Sequence, residues 1–347
     1  MVTLGADCHK QSHTLVAVDT TGRQLGSRTV SATPEGHLEV LKWAKRWPLR
    51  SWALEDCRHV SRRLEQDLLR AGERVVRVSP KLMAGARRAS RSFGKSDPID
   101  ALAVARAALR EPDLPTAQPE GRSRELRLLV DRRDDLVAER TRSINQLRWH
   151  LHELAPGFQV PARGLTRGPA WRAVEELLGT RQGLLAELAA ELLTVVRELT
   201  GKVDALERRI AGLTAELAPS LLELEGCGSL TAAKLVAETA DVTRFRSRGR
   251  YARSNGTAPV PASSGNRQRV RLNRGGNRQL NAALHRIAIT QVRLHGPGQL
   301  YLEKQMAAGH SKTEALRSLR RRLSDEVYRR LLKDHGQSLS DNYRLSD

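Results

Sequence analysis

The sequence predicts an α/β domain, then long helical arms, then a basic and mostly α-helical C-terminal domain. Strand-like and helix-like patterns alternate over residues 1–110. Leucines recur at every seventh position over residues 178–213. Residues 242–302 contain twelve Arg and no Asp or Glu, so this segment is predicted to face a polyanion.

The first 110 residues are predicted to form a sheet with helices. Residues 2–30 alternate apolar and polar side chains around the turn at Thr21 and Gly22, as strands of a hairpin do. "LEVLKWAKRW" and "HVSRRLEQDLLRAG" have helical spacing, whereas "SWALEDC" and "RVVRVS" are typical of short strands. A further helix is predicted after Pro98, and the Pro-rich residues 111–122 are predicted to be a linker.

Residues 123–217 are predicted to form two coiled-coil arms. In the first arm the apolar residues Val130, Val137, Ile144 and Leu151 are seven apart. Arg133 and Arg140 occupy matching inner positions, so this arm is expected to face another chain or a nucleic acid rather than a dry core.

The second arm has a longer leucine repeat, formed by Leu178, Leu185, Leu192, Leu199, Leu206 and Leu213. At about 1.5 Å per residue, it is predicted to be about 60 to 70 Å long. The pattern fits an antiparallel hairpin of the two arms as well as it fits a coiled coil between two chains. Both interpretations stay open.

The C-terminal domain is predicted over residues 218–335, with a tail at 336–347. Gly226 and Gly228 separate two helical patterns, which is the layout of a helix-hairpin-helix element whose turn amides can approach a phosphate. Further helices are predicted from Asn277 and from Lys312.

Charge indicates a nucleic-acid partner. Of 347 residues, 59 are Lys or Arg and 39 are Asp or Glu, a formal net charge of +20. No long apolar run or signal segment is present, which predicts a cytoplasmic, nucleoid-associated protein that does not bind membranes. Three cysteines without paired spacing argue against zinc sites and disulfides. The residues predicted to bind nucleic acid are Arg87, Arg88, Arg91, Lys95, Arg246, Arg248, Arg250, Arg267, Arg269, Arg271, Arg274 and Arg278.

Four acids are predicted to form a metal site. Asp7 and Glu55 end two predicted strands, and Asp97 and Asp100 lie three apart on one helix face. Four gathered carboxylates repel one another unless a cation neutralises them, and hard oxygen ligands suit Mg²⁺, with Mn²⁺ as the alternative. The competing interpretation is that Asp97 caps the helix and Asp100 favours its dipole. The histidines His9, His13 and His59 are interpreted as ordinary polar residues.

Two motif sets carry a family resemblance. "GADCHK", "ALEDC" and "GKSDPIDALAVA", followed by "LEGCGSLTAAKLVAETADVTRF" and "GTAPVPASSGNRQRVRLNRGGNRQLNAALHRIA", resemble the insertion-sequence family one-ten transposases in the expected order. The resemblance implies a RuvC-like, ribonuclease-H fold for residues 1–110. It implies that Asp7, Glu55, Asp97 and Asp100 are the catalytic, metal-binding acids. Asp56 is the alternative to Glu55, which is preferred because it falls at the strand's end.

The resemblance also implies a second catalytic group, the nucleophile Ser264 in the C-terminal domain. Ser263 is its neighbouring alternative. From composition alone, both would be plain turn residues.

The implied function is that of a DNA transposase or site-specific recombinase. It would cut and rejoin double-stranded donor and target DNA through a covalent 5′-phosphoserine, in a composite centre from different protomers of a coiled-coil dimer or tetramer. A structured non-coding bridge RNA would act as guide. Three alternatives stay open: a DNA invertase of the same family, a RuvC-like metal-dependent junction nuclease that ignores Ser264, and a non-catalytic nucleic-acid-binding coiled coil.

Overall fold

The computed structural model separates the chain into two compact units. Residues 1–121 and 243–250 form the first unit, and residues 122–242 and 251–347 form the second. The structure describes residues 1–55, 60–79, 82–83, 96–111, 114, 116–119, 121–160, 164–261, 270–271, 273 and 275–344, with side chains omitted at 270–271 and 337–344. The five-part division of the chain inferred from the sequence stays a prediction.

The first unit contains a mixed five-stranded sheet. Its strands are β1 (Val2–Cys8), β2 (Ser12–Val18), β3 (Gln24–Ser31), β4 (Arg50–Glu55) and β5 (Val75–Val78). They lie in the order β3-β2-β1-β4-β5. β2 is antiparallel to both of its neighbours, whereas β1, β4 and β5 are parallel. This order and these directions fit the ribonuclease-H-like domain that the sequence predicts.

Helices cover both faces of this sheet. The described helices of the first unit are α1 (Pro34–Ala44), α2 (Arg62–Arg70) and α3 (Asp97–Arg110). On one face Leu4, Ala6 and Trp52 are buried together with Trp43 of α1 and Leu64 of α2. On the other face, α3 buries its alanines against β2 and β4. Buried apolar area on both sides explains why the central strands β1 and β4 are buried over most of their length, whereas the edge strand β3 is mostly exposed.

The second unit is mainly helical. Its helices are α4 (Arg122–Leu154), α5 (Gly168–Gly179), α6 (Leu184–Leu217), α7 (Pro219–Leu222), α8 (Ser229–Thr239), α10 (Arg278–Arg293), α11 (Pro297–Ala307) and α12 (Lys312–Arg344). The helix α9 (Arg248–Ser254) runs from the first unit into the second. The short strands β6 (Val260–Pro261) and β7 (Val270–Arg271) pair antiparallel. No helix of the described chain is long and apolar enough to cross a membrane.

The two long helices α4 and α6 pack antiparallel within one chain. Arg133 of α4 pairs with Glu207 of α6 at 2.6 Å, and seven residues further along α4 Arg140 donates to Thr200 Oγ1, seven residues earlier on α6, at 3.4 Å. The inner arginines of the first arm therefore contact the second arm. Pairing between two chains stays a prediction.

The leucine repeat overestimates the length of the second arm. Leu178 belongs to the separate helix α5, and Gly183, with a φ of +99°, precedes the start of α6 at Leu184. The 34 residues of α6 are about 50 Å long at about 1.5 Å per residue. The prediction of one continuous arm from Leu178 is therefore wrong.

The Gly-rich turn follows a very short helix. α7 has four residues, Gly226 adopts a φ of +80°, and Gly228 is the N-cap residue of α8. Phosphate contact by this turn stays a prediction. The predicted helices at Asn277 and Lys312 are present: Asn277 accepts hydrogen bonds from Gln279 N and Leu280 N as the N-cap of α10, and α12 begins at Lys312.

Candidate metal centre

Strand β1 positions Asp7 by simple alternation. Leu4, Ala6 and Cys8 face the cluster formed with α1 and α2. The residues between them, including Gly5 and Asp7, face α3 instead. Asp7 is 8% exposed, so a carboxylate lies nearly buried where β1 ends.

Gly5 allows α3 to lie directly on β1. A Cβ atom at Gly5 would be 2.3 Å from the carbonyl oxygen of Ala101 and 2.5 Å from the amide nitrogen of Ala105. Asp7 is two residues further along the same face of the strand, and Asp97 is one helical turn before Ala101. The close approach at Gly5 therefore brings the start of α3 beside the end of β1. A glycine inside a strand signals such an approach in sequence, and the sequence reasoning did not use it.

Asp7, His9 and Asp97 converge at this point. Their ligand atoms all lie within 4.8 Å of one another. The Nε2 atom of His9 is 3.1 Å from Oδ2 of Asp7 and 3.5 Å from Oδ1 of Asp97. The side chains of His9 and Asp97 are each 52% exposed, so solvent and substrate can reach the group.

From the sequence, His9 is interpreted as an ordinary polar residue, although continuing the alternation of β1 one residue beyond its end at Cys8 places residues 7 and 9 on one face. That alternation was the signal that could have found it. His13 lies elsewhere: it is buried and its ring stacks on His37 with centroids 5.2 Å apart. His59 lies outside the described residues.

Asp100 adds charge beside this group. It is 7% exposed, and its backbone N donates to the Ser96 carbonyl. Burial raises the pKa of the Asp7 carboxyl, the negative charges of Asp100 and Asp97 raise it further, and the charge and hydrogen bond of His9 oppose the shift. The carboxylates are thus close enough to destabilise one another, and a bound cation would relieve that repulsion.

Glu55 ends the neighbouring strand. In the parallel pair of β1 and β4, Ala6 lies beside Leu54. Asp7 and Glu55 are the next residues along the two strands and share a face. Glu55 is half-buried, and β4 ends at Glu55 as the sequence predicted. Within the described residues, the group inside 4.8 Å includes neither Glu55 nor Asp100, and Asp56 lies outside them.

The donor set fits a divalent metal ion. Two carboxylates and an imidazole converge, with Glu55 at the end of the adjacent strand and Asp100 on the same helix as Asp97. The alternative that Asp97 caps the helix is wrong, because Ser96 is the N-cap residue and no side chain caps α3. Both acids still lie in the first turn, where the helix dipole favours negative charge.

The structure describes only some of the other predicted site residues. Arg246, Arg248 and Arg278 are exposed, and Arg250 is half-exposed. The predicted residues that lie outside the described part of the chain are Ser264, Ser263, Arg87, Arg88, Arg91, Lys95, Arg267, Arg269 and Arg274, together with the side chain of Arg271.

Similarity to known proteins covers both units. A model of DEDD transposases of the IS110 type, described as Transposase, matches residues 4–156. A second model, described as Transposase IS116/IS110/IS902 family, matches residues 218–303. The two matches occur in the order that the sequence motifs predict.

Relatives extend over nearly the whole chain. The insertion element IS116 uncharacterized 44.8 kDa protein of Streptomyces clavuligerus is 28% identical over 94% of this chain and 93% of its own. The insertion element IS900 uncharacterized 42 kDa protein of Mycobacterium paratuberculosis is 27% identical over 95% of both chains. A probable family 20 transposase of Pseudomonas aeruginosa is 29% identical over 51% of this chain and 53% of its own.

Among solved structures, T. thermophilus RuvC in complex with Holliday junction substrate is 18% identical, covers 34% of this chain and 99% of its own, and has a TM-score of 0.27. Both family models describe transposases, and they match the two halves of the chain that carry the motifs. The chain therefore belongs to the IS110-type DEDD transposases, and it is an enzyme that cleaves and rejoins DNA.

Proposed function

We propose that Asp7, Glu55, Asp97 and Asp100 hold Mg²⁺, with Mn²⁺ as a substitute, in the DNA-cleaving centre of this transposase. The observation that carries the proposal is the convergence of Asp7 and Asp97 with His9 within 4.8 Å. A bound ion would supply positive charge to a scissile phosphate and to the charge that develops on it. Asp7 is the inner, nearly buried ligand of this proposal, whereas Asp97 is on the open side.

Ser264 is the proposed nucleophile, on the family resemblance. Its hydroxyl oxygen attacks the scissile phosphorus and loses its proton, while the bond from phosphorus to the 3′ oxygen breaks. The departing 3′ oxygen takes up a proton, so one end of the cut strand carries a 3′ hydroxyl. The 5′ phosphate of the other end is esterified to the serine. Attack by a 3′ hydroxyl on this phosphoserine rejoins DNA and releases Ser264. Arginines near it in sequence, Arg267 and Arg269, are suited to stabilise the phosphate.

Two single substitutions test the centre. Asp7→Asn and Asp100→Asn each remove one negative charge without a large change in volume, and we expect divalent-dependent cleavage to fall by about tenfold or more. Asp131→Asn, an exposed acid on α4, is the matched control and should leave cleavage unchanged. Equal rates for all three variants would contradict the metal site.

Ser264→Ala separates the transposase chemistry from that of a plain nuclease. We expect the variant to bind DNA but to form no covalent protein–DNA adduct and no strand-exchange product. Mass spectrometry of the wild-type adduct should locate the phosphoserine at 264 rather than 263. Cleavage that survives in Ser264→Ala would instead assign a metal-dependent junction nuclease that does not use this hydroxyl.

The proposed partners are a structured guide RNA and further copies of the chain. The net charge of +20 supports binding of two nucleic acids at once. RNA that copurifies with the protein, sequenced and compared with the junctions of the element, tests the first partner. Light scattering of the protein with and without that RNA tests a dimer or tetramer.

A further inference from the structure

The second unit contains a cavity whose role none of the motifs assigns. Its volume is about 380 Å³. Residues 256–259 form one wall, and arginines of α12, including Arg317 and Arg320, form another. The wall segment ends five residues before Ser264 in the chain.

The positive charge of this cavity is poorly neutralised by the protein. Glu314 is the carboxylate of the described lining, and it already accepts hydrogen bonds from the backbone N and the hydroxyl of Ser311, at 2.9 and 2.7 Å. Arg321 pairs with Asp325, whereas Arg317 is exposed and interacts electrostatically with Glu314, three residues earlier on α12. Three arginines, Arg317, Arg320 and Arg321, therefore line the cavity together with a single carboxylate among the described residues.

Arg320 has a buried hydrogen-bond donor without an acceptor. Its Nη1 donates to Oδ1 of Asn281 at 3.0 Å, whereas its Nε is buried and has no hydrogen-bond acceptor among the described residues. A buried donor left unpaired is costly. Burial lowers the pKa of Arg320, and the charge of Arg317 lowers it further. An anion bound between these arginines would reduce this repulsion.

The shape and remaining lining indicate which anion fits. The planar fork of arginine matches a phosphate, but the cavity is within the size range of small-molecule sites and exceeds one phosphate group. Ala258 and Pro259 offer apolar surface, and Gln305 and His310 offer polar groups with no described hydrogen bonds from their side chains. This lining suits a phosphate with an attached flat, polar-edged ring.

We propose that this cavity binds one unpaired nucleotide of a nucleic-acid strand, with the phosphate on Arg317 and Arg320 and the base beside Pro259 and Gln305. A base in a duplex must leave its stack to enter such a cavity, so the site selects single-stranded or extruded nucleotides. The inference depends on the identity of the chain as a transposase and not on the proposed metal or serine chemistry.

The test measures binding of the full-length protein to a short labelled oligonucleotide in EDTA, by fluorescence anisotropy. Arg317→Gln should weaken binding to the single strand by about tenfold, because the variant loses a charge-assisted contact to the phosphate. Arg329→Gln is the matched control, because Arg329 lies on the same helix, pairs with Glu326 and does not line the cavity. The control should change affinity by less than about twofold.

Further binding experiments identify the ligand. A DNA strand and an RNA strand of one sequence show which source is preferred, and a blunt duplex should be bound equally by wild type and Arg317→Gln. The mononucleotide dAMP should compete with the single strand better than inorganic phosphate does. Equal losses for Arg317→Gln and Arg329→Gln, or equal competition by dAMP and phosphate, would overturn the proposal. Because Arg317 is exposed, its substitution should leave the fold intact, which thermal unfolding checks.

Discussion

At the scale of single residues, His9 holds the two acids of the candidate metal centre together. Its Nε2 lies 3.1 Å from Asp7 and 3.5 Å from Asp97. We predict that His9→Ala weakens Mn²⁺ binding by about tenfold, because the variant loses a nitrogen donor to the ion. Isothermal titration calorimetry measures the affinity. His152→Ala, an exposed histidine of α4, is the control, and an unchanged affinity for His9→Ala would exclude His9 from the site.

Of the four predicted acids, Asp7 and Asp97 lie in the observed group, whereas metal binding by all four stays a prediction. Asp7 and Glu55 follow from strand ends, and Asp97 and Asp100 follow from helical spacing. Nothing in spacing alone shows that the acids of α3 reach Asp7, because this depends on contacts far apart in sequence. His9 was within reach of strand alternation, whereas the geometry at Ser264 lies outside the described residues.

A second residue, His13, makes stability depend on pH. It is 1% exposed, and burial followed by the charge of His37 lowers the pKa of His13 from 6.5 to about 4. Between these values the unfolded chain binds the proton and the folded chain does not, so acid favours unfolding. We predict that stability falls as pH decreases from about 6.5 to 4, by up to about 3 kcal/mol from this residue.

The measurement compares urea unfolding of wild type and His13→Phe over that pH range. The free energy of unfolding of the variant should depend less on pH than that of the wild type. His152→Phe should keep the dependence of the wild type. Parallel curves for wild type and His13→Phe would show that His13 is not the titrating group.

At the scale of elements, the contact between β1 and α3 sets the site. We predict that Gly5→Ala destabilises the first unit by about 1–3 kcal/mol, because the added Cβ meets backbone atoms that cannot move independently. Displacement of α3 should also weaken Mn²⁺ binding. Gly26→Ala in β3 is the control, since its Cβ would be 3.6 Å from Trp43, an ordinary contact. Chemical denaturation and metal titration test both effects, and a fully stable Gly5→Ala would contradict the close packing.

Element boundaries were predictable where local signals were strong. The strand end at Glu55 and the start of α10 after Asn277 follow from burial pattern and capping. The leucine repeat continued across Gly183, but the positive φ of that glycine interrupts the helix. Antiparallel packing of α4 on α6 within one chain could not be chosen from heptads, because both forms of pairing bury the same seam.

At the scale of the whole molecule, sequence order does not give the division into units. Residues 243–250 belong by contact to the first unit although they follow the long helices of the second. Which unit residues 243–250 join depends on tertiary packing, and tertiary packing cannot be deduced from composition. Composition does give the excess of positive charge, because the chain contains 59 Lys and Arg but 39 Asp and Glu.

DNA binding that neutralises phosphates releases counterions, so affinity should fall linearly with salt on logarithmic axes, with a slope of about −0.9 per contact. Arg246 and Arg248 are exposed members of the predicted basic stretch. We predict that replacing both with Gln reduces the slope by about 2 and weakens binding to all duplexes alike. Replacing the exposed Lys45 and Arg70 removes equal charge from the first unit outside that stretch and should leave the slope within about 0.5 of wild type. Anisotropy titrations over a range of KCl concentrations measure both slopes, and equal reductions would mean that net charge, rather than this stretch, contacts the DNA.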